Sequence, residues 1–425
     1  MLKAAEDEKT TGSSKRFFAD LGPGLITGAA DDDPSGISTY SVTGATLGLA
    51  GLWTALFSFP LMAAVQLMCA RLGLVTGRGL AGVIRMRYPR WVLWFSCLLL
   101  VVANVFNIAA DLGGMAEVMR MMTGIPAGYW CFVFAGLIIG MLFWTSYKLI
   151  ARIFKWLTLV LFAYVIAAFF THPDWGKVLQ ATLLPHFEWS RSNISILVGI
   201  LGTTISPYLF FWQSAQEVEE ERSQGRNTLA KRKGATALEL RCARTDVVVG
   251  MFFSNLVMFF IILTTATTLH ARGITQIETA QQAAEALRPL AGNFAYLLFT
   301  IGLIGTGMLA IPVLAGSCAY AIAEAANWGR PTLSRKPHLA RRFYAVIAGS
   351  LLVGLGLDYA GLNAVKMLFW SAVVNGVLAP PLVILVVMLT SDPTVMGEHV
   401  SPPLLKYLGA LCALVMSLAA IALLF

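Results

Sequence analysis

Charged residues are scarce in this 425-residue sequence: Asp, Glu, Lys and Arg make up 13% of it, whereas 57% is hydrophobic. A soluble protein carries about 25% charged residues. The apolar residues are collected in long runs, such as 53–65, 249–266 and 377–389, and runs of this length and purity are typical of membrane spans. The composition therefore excludes a large soluble domain and predicts an all-α integral membrane protein.

Clustered cysteine and histidine are also missing. The six cysteines are scattered without the spacing of a metal or redox site, and the five histidines lie outside the centres of the apolar runs. A membrane-embedded enzyme needs a nucleophile–base pair or a cluster of His and acids at membrane depth, so we do not expect an enzyme. Residues 1–16 lack the pattern of a cleaved signal peptide, and we interpret them as a cytosolic tail.

Eleven membrane spans are predicted from the apolar runs. Their approximate ranges are 19–47, 52–75, 91–119, 127–146, 151–171, 194–221, 246–269, 293–326, 342–357, 364–390 and 403–424.

The distribution of Lys and Arg gives an orientation. If the N-terminus is cytosolic, all but six of the 31 Lys and Arg residues fall on the cytosolic side, as the positive-inside rule requires. The net charge of +8 then reflects topology, and nucleic acid is not an expected partner. We expect a multi-pass protein of the cytoplasmic (inner) membrane with the C-terminus on the opposite side. The lipid bilayer is the expected environment, and no obligate protein partner is evident.

An acidic cluster interrupts the first predicted span. The run Asp31–Asp33 is followed by Pro34 and Gly36. An acidic residue at mid-bilayer costs about 2.5–3.5 kcal/mol, while proline and glycine allow a helix to break. The apolar segments on either side are each about half a span long, which predicts one span with an unwound centre. The alternative is an ordinary loop before a span that begins at Ile37.

A second interruption lies in the sixth predicted span, where small and hydroxyl-bearing residues from Gly202 to Ser206 precede Pro207. Taken alone, it favours a simple proline kink. The two interruptions, however, occupy corresponding positions in two successive sets of five spans, and an odd number of spans inverts the second set. Interrupted helices at matching positions of inverted halves indicate the midplane site of a secondary transporter. We therefore predict repeats at 17–171 and 194–390, followed by an eleventh span at 403–424.

Several other polar residues lie inside predicted spans. Asp111 is either a helper on an ion path or part of a buried hydrogen-bond network. Asn104 and Asn107 are one turn apart and favour helix–helix contacts. Asn255 and Asn375 are either similar contacts or neutral oxygen donors at the site. The acidic run 217–221 is either a solvated face or a means of attracting cations.

The two interrupted segments resemble motifs of the NRAMP family of divalent metal transporters. Residues 33–36 of this chain, Asp-Pro-Ser-Gly, resemble the family motif Asp-Pro-Gly-Asn. Residues 203–209, Thr-Thr-Ile-Ser-Pro-Tyr-Leu, resemble the family motif Ala-Thr-Ile-Met-Pro-His-Asn. The resemblance extends from Gly22 to about Leu389. It implies a LeuT-like fold of two inverted five-helix repeats plus an eleventh helix, with a metal site between the first and sixth helices.

The resemblance also implies roles for individual residues. Asp33 matches the metal-binding aspartate, and Thr203 holds the place of a backbone carbonyl ligand. Gly36, Ser206 and Tyr208 stand where the family has a ligand asparagine, a methionine and a histidine. Further matched positions are Gln213 for a second histidine, Asp111 and Gly114 for an Asp and a Glu linked to proton transport, and Ala372 for a glutamine. The candidate metal-site residues are Asp33, Gly36, Thr203, Ser206, Asp31, Asp32 and Asn375.

The positions at which this sequence differs from the family motifs predict the substrate. Methionine sulfur favours transition metals, whereas hydroxyl and carboxylate oxygens suit magnesium and manganese. Loss of the histidines and the glutamate removes the groups that a proton would use. The pattern resembles the NRAMP-related magnesium transporter branch, although an aluminium-carrying plant branch also lacks the methionine. We therefore expect transport of magnesium, and also manganese, without proton coupling, and no cofactor beyond the transported ion. The alternatives are a proton-coupled transition-metal transporter and a LeuT-like amino-acid transporter.

Overall fold

The computed structural model describes residues 22–145, 159–329, 332–333, 337–358 and 363–424. Helices make up 85% of these residues, and no strand occurs within them, which confirms the prediction of an all-α protein. The predicted tail 1–16, the first residues of the first predicted span and residues 151–158 of the fifth lie outside the described residues.

The helices follow one another along the chain with short connections. They are α1 (Pro23–Asp31), α2 (Pro34–Leu47), α3 (Trp53–Thr76), α4 (Leu80–Arg87), α5 (Arg90–Thr123), α6 (Ala127–Trp144), α7 (Phe162–Phe170), α8 (Trp175–Leu183), α9 (Arg191–Thr204), α10 (Pro207–Ser223), α11 (Leu229–Arg232), α12 (Ala237–Thr268), α13 (Ala280–Ala284), α14 (Arg288–Ala291), α15 (Ala295–Ala325), α16 (Arg341–Asp358), α17 (Ala364–Ser391), α18 (Pro393–Met396) and α19 (Pro403–Ala422).

Eight stretches of helix in the described part of the chain are long and apolar enough to cross a membrane. They fall in the predicted spans other than the first, fifth and ninth. The first is divided into α1 and α2, the fifth contains the shorter apolar helix Leu159–Phe170, and the ninth matches α16, an 18-residue helix. The chain is therefore a multi-pass membrane protein, while its division into two inverted repeats stays a prediction.

Both predicted interruptions are real breaks between two helices. Asp33 and Ser206, the residues before Pro34 and Pro207, are extended, with ψ of 170° and 135°. A residue that precedes proline is driven out of the helical region by the proline ring. The proline itself is well placed at the first position of the following helix, where its missing N–H is not needed. Helix on both sides of the acidic cluster excludes the alternative of an ordinary loop.

Glycines bring the broken helices against continuous ones. A Cβ at Gly28 of α1 would lie 2.4 Å from the carbonyl oxygen of Gly250 in α12, and one at Gly250 would lie 2.3 Å from the carbonyl oxygen of Gly24. In the second half, a Cβ at Gly202 of α9 would lie 2.0 Å from the carbonyl oxygen of Ala372 in α17. Small residues that permit backbone contact are the usual means of packing helices in a membrane.

The seventh membrane helix begins earlier than predicted. The sequence predicts a span over 246–269, whereas α12 begins at Ala237. The cause is a capping box in which the Thr236 hydroxyl accepts from the Glu239 amide and the Glu239 carboxylate accepts from the Thr236 amide. Hydropathy detects only the apolar part of a helix, so a capped polar extension is missed.

Candidate metal site between two broken helices

A small recess lined by oxygen atoms lies where α2 begins and α9 ends. Gly36 has no side chain, and a Cβ placed there would lie 3.0 Å from the Thr203 hydroxyl oxygen, 3.3 Å from the Asp31 carbonyl oxygen and 3.4 Å from Asp33 Oδ1. All four residues are buried, and the Thr203 hydroxyl faces the hydroxyl of Tyr40. The structure thus brings Asp33, Gly36 and Thr203 together as predicted, in what we call the Gly36 recess.

Asp33 has a structural role as well as a place at the recess. It is the N-cap of α2, and its Oδ1 accepts a hydrogen bond of 2.7 Å from the Gly36 amide. A carboxylate at the positive end of a helix is favourable. The carbonyl groups at the ends of α1 and α9 carry the opposite partial charge, and they suit a cation.

The Ser206 side chain is turned towards the end of α9. Its hydroxyl group lies 2.7 Å from the Gly202 carbonyl oxygen and 2.8 Å from that of Thr203, and donates to them. The Thr203 carbonyl, which is the predicted backbone ligand, is thus already in contact with a hydroxyl. Whether Ser206 and Thr203 contact a metal ion stays a prediction.

Tyr208 connects the two broken helices. Its hydroxyl donates a 2.8 Å hydrogen bond to the carbonyl oxygen of Ala30, one of the free carbonyls at the end of α1. The side chain is fully buried. Tyr208 therefore holds the end of α1 against the start of α10.

Asp111 of α5 is buried on the same side as Asp33, and the two carboxylates are close enough to interact electrostatically. The Ser35 amide also faces Asp111. Asp111 thus places a second carboxyl group near the recess, and whether it serves an ion path or a hydrogen-bond network stays a prediction.

The carboxylates of Asp31 and Asp32 do not join Asp33. Ser254 of α12 contacts both, at 2.7 Å from Asp31 Oδ2 and 3.1 Å from Asp32 Oδ1. No three His, Cys, Asp or Glu side chains among the described residues converge as metal ligands. Asp31 therefore contributes its main-chain carbonyl to the Gly36 recess, while its side chain belongs to a separate group.

Asn375 is engaged with another residue. Asn107 and Asn375 exchange two amide hydrogen bonds of 2.8 and 3.2 Å between α5 and α17. Asn104 likewise donates to the Leu314 carbonyl of α15. These contacts match the expected role of the asparagines between helices, and a metal contact of Asn375 stays a prediction.

Contacts on the side predicted to be cytosolic hold α1 in place. The Asp246 carboxylate of α12 accepts from the amides of Gly22, Gly24 and Leu25 at 2.9, 2.6 and 3.1 Å. The Thr27 hydroxyl donates to Gln213, whose amide donates to Glu217. Gln213 thus supports α1 on α10.

Cavities lie on the opposite side. One of about 410 Å³ is lined by residues that include Glu117, Glu278, Asp358 and Asn363. A narrower one of about 20 Å³ also contacts Glu117 and extends to Ser38 and Ser41 of α2. Both cavities thus lie on the predicted extracellular side, and the narrower one reaches α2.

Comparison with known proteins identifies the family. The family model described as natural resistance-associated macrophage protein-like (Nramp) matches residues 24–425. The chain belongs to the Nramp family.

Relatives cover nearly the whole chain at low identity. The "Divalent metal cation transporter MntH" of Caldanaerobacter subterraneus subsp. tengcongensis is 27% identical over 94% of this chain and 91% of its own length. The protein of the same name from Yersinia enterocolitica is 27% identical over 98% of this chain and 97% of its own length. Nramp proteins are membrane transporters, which confirms that the chain is not an enzyme.

Solved structures show the same fold. A manganese transporter from Eremococcus coleocola superposes with a TM-score of 0.75 at 17% identity, over 96% of this chain and 86% of the other. Mhp1, a nucleobase-cation-symport-1 family transporter, superposes with a TM-score of 0.56 at 12% identity, over 95% of this chain and 91% of the other. The predicted LeuT-like fold is confirmed.

In this Nramp protein, Ser254, Tyr40 and Asp246 were missed by the sequence analysis. Ser254 is one serine in an apolar helix, and only its neighbour Asn255 suggested a polar position. Tyr40 lies in α2, and its buried hydroxyl faces that of Thr203. Asp246 was taken as the start of a span, and an acid that follows several basic residues was the signal that could have singled it out.

Proposed function

We propose that this Nramp protein transports hard divalent cations through the Gly36 recess, magnesium before manganese, without coupling to protons. The main support for this proposal is the composition of the recess. The Asp33 carboxylate, the Thr203 hydroxyl and the Asp31 carbonyl surround the position of Gly36, which has no side chain. Oxygen atoms of these kinds are the ligands that magnesium and manganese prefer. The names of the relatives, which describe divalent metal cation and manganese transporters, support the substrate class.

Oxygen atoms at the recess support the preference for hard cations. Ser206 has an oxygen where the family motif has methionine, and the three atoms nearest to a Cβ at Gly36 are all oxygens. A magnesium ion keeps several of its water molecules when it binds proteins. A recess with few protein ligands, next to the carboxylate of Asp111, suits a partly hydrated ion.

The polar contacts support transport without protons. A proton route needs titratable groups joined by hydrogen bonds or water. The Tyr208 hydroxyl faces Asp33 but donates its proton to Ala30, Gln213 does not titrate, and Gly114 has no side chain. Asp111 faces the Ser35 amide, and a backbone amide does not pass a proton on.

The amino-acid transporter alternative is disfavoured by the capping of α2. Such a transporter offers a free helix N-terminus to the substrate carboxylate. Here the Asp33 carboxylate already accepts from the Gly36 amide, so a second carboxylate at this end would meet a like charge.

The test is uptake by proteoliposomes that contain the full chain, with a magnesium-sensitive or manganese-sensitive dye and a pH-sensitive dye inside. With the membrane potential clamped, we expect uptake of both ions and no acidification that follows the ion. Uptake of manganese but not magnesium would contradict the preference. Internal acidification in proportion to metal entry would contradict uncoupled transport and favour the proton-coupled alternative.

A further inference from the structure

A row of polar or side-chain-free positions runs along each of two neighbouring helices, α2 and α5. The residues recur at every third position: Ser35, Ser38 and Ser41 on α2, and Asp111, Gly114 and Glu117 on α5. Residues three apart form a ridge on the surface of a helix. Six residues of helix rise about 9 Å, so each row extends from beside the Gly36 recess towards the predicted extracellular side.

The two rows face each other along their length. At the inner end, the Ser35 amide faces Asp111 beside the recess. Further out, the other members of both rows line the narrow cavity of about 20 Å³. Polar groups therefore continue from the recess to the outer end of the narrow cavity, where Glu117 lies.

Glu117 connects the narrow cavity with the outer cavity of about 410 Å³, because it lines both. The other charged residues that line the outer cavity in the described part of the chain are Glu278, Asp358 and Arg120. Arg120 Nε donates to Glu117 Oε2 at 2.8 Å, and Lys366 Nζ lies 3.7 Å from Glu278 Oε1. Three acidic residues thus face two basic ones. An excess of negative charge in a cavity concentrates cations there.

Leu368 of α17 narrows the space between the rows. It lines the narrow cavity, and a Cβ at Gly114 would lie 2.8 Å from Leu368 Cδ1. A volume of this size has room for about one water molecule. An ion therefore passes only when Leu368 moves aside, and a side chain at position 114 would obstruct the passage.

We propose that the divalent cation reaches the recess between α2 and α5, entering at Glu117 and passing Ser41, Ser38 and Gly114. Glu117 attracts the ion from the outer cavity, and the serine hydroxyls offer oxygen atoms of the kind that a hard cation prefers. Leu368 closes the passage between ions. This inference rests on the proposed transport of divalent cations.

The test is thiol labelling of the full chain in intact cells, with a positively charged methanethiosulfonate that does not cross membranes. Cys242 is exposed and the other five cysteines are buried, so Cys242→Ser provides the background. Ser41→Cys and Ser38→Cys are expected to be labelled from outside, Ser41→Cys faster because it lies nearer the outer cavity. Thr43→Cys is the matched control on α2, because Thr43 is buried against Gly51.

Labelling should also change transport. A group attached at Ser41→Cys fills the passage, so uptake of magnesium and manganese should be lost. Labelling no faster than in Thr43→Cys, or normal uptake by the labelled protein, would overturn the proposed path. The labelling needs no metal, so either result leaves the proposed function intact, whereas no uptake by the unaltered protein would contradict both. Adding Leu368→Ala should accelerate the labelling of Ser38→Cys, and an unchanged rate would overturn the role of Leu368.

The charge at the mouth is tested separately by Glu117→Gln. This variant is expected to raise KM for uptake from the outer side about tenfold at low ionic strength and to leave kcat unchanged, because the charge acts on the local ion concentration. Glu285→Gln is the matched control, since Glu285 forms an ion pair of the same spacing with Arg288, and the Glu117 and Glu285 side chains are 15% and 20% exposed. Equal KM values in the two variants would overturn the role of Glu117.

Discussion

The two broken helices have the same backbone conformation at the break, but the polar groups at the two breaks differ in charge. In each, an extended residue precedes a proline that begins the second helix, at Asp33-Pro34 and at Ser206-Pro207. Asp33 accepts from the amide of Gly36, whereas Ser206 donates to carbonyls of the preceding helix. The first break therefore supplies negative charge and the second supplies neutral oxygens.

We infer from this difference that the first break determines the affinity for cations and the second break determines the selectivity between them. Because the charges lie in the first break, we expect changes there to affect whether any cation binds. Because the second break carries no formal charge, we expect changes there to affect which cation is preferred. The following predictions test this division, from the largest expected effect to the smallest.

Removing the charge at Asp33 is expected to have the largest effect. Uptake of magnesium and manganese by proteoliposomes should fall about a hundredfold or more in Asp33→Ala and in Asp33→Asn, since losing one partner of a buried charge pair costs roughly 3–5 kcal/mol. Asparagine is also a good N-cap. Only Asp33→Ala should therefore lose about 1 kcal/mol of stability, seen as a lower unfolding temperature. Normal uptake in Asp33→Asn would show that the negative charge at the first break is not needed for cation binding.

Filling the Gly36 recess is expected to reduce uptake of both ions about tenfold, which corresponds to about 1.4 kcal/mol. The added methyl group of Gly36→Ala would lie within 3.0–3.4 Å of three oxygens and would exclude an ion or its water. Gly136→Ala is the matched control, because nothing lies within 4 Å of a Cβ at that position. Equal uptake by the two variants would show that the ion does not occupy the recess.

Ser206→Met tests selectivity at the second break. The binding of cadmium or manganese relative to magnesium, measured by calorimetric titration, should rise about tenfold, because sulfur favours softer metals. The change is expected to be partial, since Gly36 and Ala372 also differ from the family motifs. If the ratio is unchanged, Ser206 does not face the ion.

Removing the hydrogen bond that joins the two breaks is expected to have the smallest effect of these changes. Tyr208→Phe removes one hydrogen bond to Ala30, worth about 1 kcal/mol. Hydrogen–deuterium exchange of the α1 amides should accelerate about fivefold, which is the opening expected from that loss. Tyr129→Phe is the control, because the Tyr129 side chain is 68% exposed. Equal exchange in both variants would contradict the role of Tyr208 in holding α1.

The membrane class, the two breaks and the four residues at the recess were among the predictions made from the sequence. These features depend on local physical chemistry. An apolar run long enough to cross the bilayer is a helix because its backbone groups have no other partners. A proline after an acidic or hydroxyl-bearing residue interrupts that helix at a known position. Asp33 and Gly36 are close because they are neighbours in the chain.

The tertiary structure decided which side chains share a site. Asp31 and Asp32 were grouped with Asp33 in the sequence, but their carboxylates contact Ser254, more than 220 positions away. Asn375 was a candidate ligand, and it pairs with Asn107 at a separation of 268. Side-chain direction depends on how each helix is rotated against its neighbours. That rotation is determined by close contacts such as the one between Gly28 and Gly250. Both glycines are visible in a single sequence, but the sequence does not show that they are in contact.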